Sequence, residues 1–97
     1  MGREEAVRNL KSLPGWELSP VARSIRVQYV MKNFMAAVDL IGKIARVAEA
    51  ENHHPDMSLT GYRKLAVELS THAIGGLSEN DFILAAKIEE LPKELKK

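Results

Sequence analysis

Residues 24–51 read SIRVQYVMKNFMAAVDLIGKIARVAEAE, and a change of period inside this stretch decides the fold. Up to Val30 the pattern alternates. Ile25, Val27 and Tyr29 point one way and Arg26 and Gln28 the other, as in a half-buried strand. From Asn33 the apolar spacing becomes three and four. Phe34, Val38, Ile41, Ala45 and Ala48 then form one stripe on a helix, with Asn33 as its N-cap. Pro55 disfavours helical geometry at the residue before it, so this helix should stop near Asn52 or His53.

On the N-terminal side, Ala6-Val7, Leu10 and Leu13 predict a helix over residues 3–12, ended by Pro14-Gly15. Trp16 to Leu18 is a short strand before a Ser19-Pro20 turn. On the C-terminal side, Met57 to Thr60 is a strand and Gly61-Tyr62 a turn. Leu65, Val67 and Leu69 then alternate as a further strand. Ser78-Glu79-Asn80-Asp81 fits a capping box, flanked by Leu77 and Phe82 as a hydrophobic staple. Leu84, Ala85, Ile88 and Leu91 give this last helix its buried stripe, and Pro92 stops it. The order is α-β-β-α-β-β-α. Short connections favour antiparallel pairing, and so small a sheet needs helices to cover its apolar side. The expected fold class is α+β, a two-layer sandwich of a four-stranded antiparallel sheet with three helices on one face.

Composition narrows the function. The 97 residues fit one domain, 1–97, and an apolar share of 45% suffices for a core. No cysteine is present, which excludes disulfides, zinc–thiolate sites and thiol catalysis. The charged start lacks a secretory h-region and no apolar run reaches the length of a membrane helix, so a cytoplasmic protein with no membrane partner is expected. Fourteen basic against thirteen acidic residues give a net charge of +1, which argues against direct nucleic-acid binding. The densest basic cluster, Lys93, Lys96 and Lys97, reads as a solvated end.

The chemistry concentrates in one region. All three histidines, His53, His54 and His72, lie within twenty residues, and histidine gives and takes protons near neutral pH. A helix end before a proline could turn both adjacent rings toward one pocket. By strict alternation His72 continues the face of Glu68 and Ser70, free to meet solvent or a ligand. Glu49 lies four residues before His53 and could orient that imidazole. Plainer readings stand beside these. The pair could be a solvated loop, Asp81 a cap alone, and Trp16 and Tyr62 packing residues. Three histidines could also hold a metal, although adjacent ligands suit a single ion poorly.

The spacing from Glu49 to Asp81 changes the weighting. Glu49, His53-His54-Pro55, Tyr62, His72 and Asp81, with the strings Ser70-Thr71-His72-Ala73 and Gly76-Leu77-Ser78-Glu79-Asn80-Asp81, resemble the signature of the pterin-4a-carbinolamine dehydratase family. Gly15-Trp16 and the strand before Asn33-Phe34 fall where that family has its glycine-tryptophan pair and second strand. The chain departs from many relatives in carrying Ile25, Val27, Met57 and Leu59 where they have aromatics. The resemblance implies a cofactor-independent, metal-free lyase that dehydrates 4a-hydroxytetrahydropterin to quinonoid dihydropterin in pterin recycling. It implies His53, His54 and His72 as catalytic residues, His53 and His72 exchanging protons and His54 positioning the ring. Glu49, Pro55, Ser70, Thr71, Trp16 and Asp81 would contribute to substrate binding, Glu49 as an orienting group. The implied assembly is a homodimer or homotetramer. Alternative roles in the same family are a dimerisation cofactor of a transcription factor, or a pterin-handling protein of folate or molybdopterin metabolism.

Overall fold

A computed structural model describes residues 1–97. The elements follow in the order α1 (Arg3–Leu10), β1 (Glu17–Leu18), β2 (Ile25–Val30), α2 (Phe34–Glu51), β3 (Asp56–Thr60), β4 (Lys64–Leu69), a 3-10 turn (His72–Ile74) and α3 (Glu79–Glu90). Every strand pairing is antiparallel, and the spatial order is β1-β2-β4-β3. The two alternating strands lie side by side at the centre, with Ile25 opposite Leu69, Val27 opposite Val67 and Tyr29 opposite Leu65. Their apolar sides are buried together, whereas Arg26, Gln28 and Glu68 are exposed on the other face. The sheet is therefore covered on one side only, as the patterns require.

The helix α2 starts where expected, with Asn33 Oδ1 accepting the Ala36 N–H at 2.8 Å. Its buried stripe shares only Ala48 with the expected one. Ala36, Ala37, Leu40, Ile44 and Ala48 face the core, while Phe34, Val38 and Ala45 are exposed and Ile41 is half-buried. The helical period is the expected one and its phase is shifted. This helix is apolar around most of its circumference, so spacing alone cannot select a stripe, and the small Ala36 and Ala37 allow the closest approach to the core.

The C-terminal tail also departs from expectation. Lys32 N–H donates to Glu94 O (2.8 Å) and Lys96 N–H to Val30 O (2.9 Å), which stitches the tail beside the end of β2. Lys93 is half-buried, and its ammonium donates to the carbonyls of Ile88, Glu89 and Leu91, each at 2.8 Å. It thus supplies three donors to the C-terminal end of α3, where carbonyls lack helical partners and a cation is favoured. Above it, Glu89 of α3 accepts from the Trp16 indole N–H (2.9 Å) and from the Tyr29 hydroxyl. Burial, reinforced by the Glu89 carboxylate, pushes the Tyr29 phenol far above the ordinary tyrosine value.

Candidate functional site

Two chain reversals place the histidines. Asn52 takes the left-handed conformation (φ 51°) as C-cap of α2, which ends the helix one residue before His53. His53 and His54 therefore stand on extended chain leading into β3. In β3, Asp56 pairs with Glu68, so two residues outward His54 and Ser70 occupy matching positions at the same corner of the sheet. Strand β4 stops at Leu69, Thr71 N–H bonds Gly76 O (2.7 Å), and His72 opens the 3-10 turn. His72 is consequently exposed on a turn, and the alternation of β4 does not extend to it.

The best-held group is His53. Its Nε2 lies 2.6 Å from Asp81 Oδ1, and Asp81 is completely buried. Asp81 Oδ2 accepts the Thr71 hydroxyl (2.9 Å) and the Ser78 N–H (3.0 Å), and the Ser78 and Thr71 hydroxyls lie 2.7 Å apart. Since the carboxylate collects donors on both oxygens, His53 donates from Nε2, and its Nδ1 is the nitrogen left for other partners. The capping-box aspartate of α3 thus serves a second purpose: it clamps an imidazole from the far end of α2 to Thr71, the neighbour of His72. This double use escapes the sequence pattern, whose one hint is aspartate where a capping box prefers glutamate.

The other anticipated groups divide. Glu49 pairs with His54 and not with His53, because the left-handed residue at Asn52 swings His53 off the helix face that Glu49 shares. His54 and Glu49 are both exposed. Pro55, Ser70 and Thr71 are half-buried around the same corner. Asp81 offers no surface to a ligand, so it acts on His53. Trp16 is buried against the last turn of α3, about 12 Å along that helix from Asp81, and packing with Glu89 accounts for it. No three His or carboxylate side chains gather in metal-ligand geometry; His53 and His54 each turn to a separate carboxylate. The largest hollow of the molecule lies away from this corner, at the opposite end of the sheet.

A four-stranded antiparallel sheet covered by three helices, with a carboxylate-clamped histidine at one corner, defines a small α+β domain. The family model described as pterin 4 alpha carbinolamine dehydratase matches residues 1–91, and the chain belongs to that family. It is 42% identical over 96 residues to the mitochondrial pterin-4-alpha-carbinolamine dehydratase 2 of Arabidopsis thaliana, covering 97% of this chain and 51% of that one. It is 45% identical over 91 residues to a protein of Methylococcus capsulatus that bears the dehydratase name provisionally, covering 94% and 79%. A crystal structure of a transcriptional coactivator/pterin dehydratase from Brucella melitensis superposes with a TM-score of 0.85 at 28% identity, over 92% of this chain and 94% of that one.

Proposed function

We propose that this chain is a hydro-lyase that removes water from a 4a-hydroxytetrahydropterin, leaving a quinonoid dihydropterin for a separate reductase to recycle. The observation that carries the reading is the Asp81-clamped His53, joined through Thr71 to the turn that bears His72. The reaction breaks one C–O bond and forms one C=N bond. A proton goes to the departing hydroxyl, another leaves the neighbouring ring nitrogen, and no electron acceptor is needed. An imidazole whose Nε2–H is fixed on a buried carboxylate presents Nδ1 in a defined direction, as a general base or acid requires. In this reading His53 and His72 exchange the two protons. His54, oriented by Glu49, positions the pterin ring, with Pro55, Ser70 and Thr71 alongside.

Replacing each histidine singly with alanine tests this on a synthetic 4a-hydroxytetrahydropterin under steady-state conditions. His53→Ala and His72→Ala are expected to lower kcat by about 10²–10⁴-fold each, the usual contribution of a general acid or base. His54→Ala is expected to act mainly on KM. Loss of most activity in His54→Ala with none in His72→Ala would reverse the roles, and three variants at wild-type turnover would end the lyase reading.

We also propose that the working form is a homodimer or homotetramer. Phe34, Met35 and Val38 lie 51%, 70% and 42% exposed along one side of α2, an apolar strip that a lone subunit leaves in water.

A further inference from the structure

The end of the sheet remote from the histidines carries a concentration of positive charge that the proposed dehydration does not use. A hollow of about 550 Å³ opens there, lined by Lys32, Arg63, Lys93, Lys96 and Lys97 together with Glu94 and Leu95. Val30 pairs with Lys64 at this end and Ile25 with Leu69 at the other. The hollow and His72 are thus separated by the six residues of β4, about 20 Å of strand. None of the five cations has a carboxylate within ion-pair distance. The four ion pairs of the molecule join Lys43 to Asp39, His53 to Asp81, His54 to Glu49 and Lys87 to Glu51.

Four of these cations stand on residues that the fold fastens in place. Arg63 Nε donates to Met31 O (2.9 Å) and its Nη2 to Lys32 O, with the guanidinium 5.2 Å above the Tyr62 ring. Its other terminal nitrogen remains available. Lys32 and Lys96 are held at backbone level by the bonds that fasten the tail to β2. Lys93 spends its three protons on helix carbonyls and contributes field without contact. The hollow sets five cations against the single carboxylate of Glu94, and a bound anion would balance that excess of positive charge.

We infer that this hollow is an anion site for a compact polyphosphate group, such as the diphosphate of a small phosphorylated metabolite. A planar guanidinium with a free edge, flanked by ammonium groups on two different segments, matches the several oxygens of adjacent phosphates. The charge distribution favours a small ligand over a nucleic acid. Removing the five cations and one carboxylate of the hollow from the fourteen basic and thirteen acidic residues leaves nine against twelve, so the rest of the chain lacks the basic surplus of a nucleic-acid binder.

Titration of the whole chain with sodium pyrophosphate, followed by two-dimensional amide NMR, tests the site. Saturable shifts are expected at Lys32, Arg63 and residues 94–97, with the histidine corner unmoved. Lys32→Ala and Lys96→Ala, both at exposed positions, should each weaken binding by about tenfold, the scale of one charge-assisted contact. Arg23→Ala, which removes a cation outside the hollow, should leave the affinity unchanged, and raising the salt concentration should weaken binding steadily. Shifts that grow linearly without saturation, or an equal loss in Arg23→Ala, overturn the inference. So does a response of the same amides to single-stranded DNA or to vesicles of anionic lipid where pyrophosphate gives none.

Discussion

At the scale of single residues, the decisive side chain is Asp81, since one carboxylate both caps α3 and holds His53. Its replacement separates those two duties. Asp81→Asn keeps the volume but brings an amide, whose NH₂ cannot accept from the imidazole and whose oxygen can serve only one of the two sides. Stability should fall by about 1–3 kcal/mol, the usual cost of disturbing a buried charged hydrogen-bonding group. Turnover of the hydroxypterin should fall by about 10²-fold or more if His53 needs its Nε2–H fixed. A structural defect alone cannot imitate the third readout. The ¹⁵N resonances of His53 should report one Nε2–H tautomer in the wild type and a mixture in the variant. Wild-type kcat with an unchanged tautomer would make Asp81 a cap and nothing more. Thr71→Val should be milder on both counts, because it removes one of three donors and leaves the carboxylate in place.

At the scale of elements, α2 shows what an amphipathic pattern can and cannot tell. Asn33 as cap and Pro55 as terminator are local steric facts, and both are visible in the chain without knowledge of its partners. The buried side is a tertiary fact. Leu40 and Ile44 belong to one stripe and Phe34, Val38 and Ile41 to the next, and only the sheet's position selects between them. Phe34 and Val38 of the expected stripe lie bare beside Met35, and this makes self-association testable. Val38→Glu places a charge in the exposed row without touching the core. In sedimentation velocity the wild type should run as a dimer or tetramer and Val38→Glu as a smaller species, with unfolding of the dilute monomer little altered. A wild-type chain that stays monomeric at about 100 μM would remove the assembly from the proposal, since specific homo-oligomers with micromolar or tighter constants are populated there. The same contrast between local and tertiary information explains the site. The histidines and Asp81 could be singled out from their spacing, yet the pairing of Glu49 with His54 depends on the left-handed turn at Asn52, which no periodicity announces.

At the scale of the whole molecule, Tyr29, Glu89, Trp16 and Lys93 tie the central sheet, the loop before β1 and the end of α3 into one buried polar knot. The ammonium of Lys93 lies 5.3 Å from the Tyr29 ring centre. Nothing in the sequence joins residues sixty positions apart, so this knot was not legible; only the alternation that buries Tyr29 was. Its consequence is a pH dependence with a definite sign. Burial and then Glu89 raise the Tyr29 phenol far above its ordinary value of about 10, so above that pH the unfolded chain loses a proton that the folded chain keeps. The Tyr29 contribution is fully present below about pH 10 and fades as the pH rises further. Burial lowers Lys93, opposed by Glu89 and assisted by Lys43, so its contribution runs the other way, growing as the pH approaches the ordinary lysine value. The variant that isolates the first effect is Tyr29→Phe. Near pH 8 it should be less stable than the wild type by about 1–3 kcal/mol, having lost a hydrogen bond to a charged acceptor. Between pH 10 and 11 the gap should narrow by up to about 1.4 kcal/mol, the largest slope one proton can give. Urea midpoints measured at matched slope for both proteins supply the comparison. Curves that stay parallel through that interval would show that the phenol titrates alike in the folded and unfolded chains, and the knot would then be a packing contact without electrostatic weight.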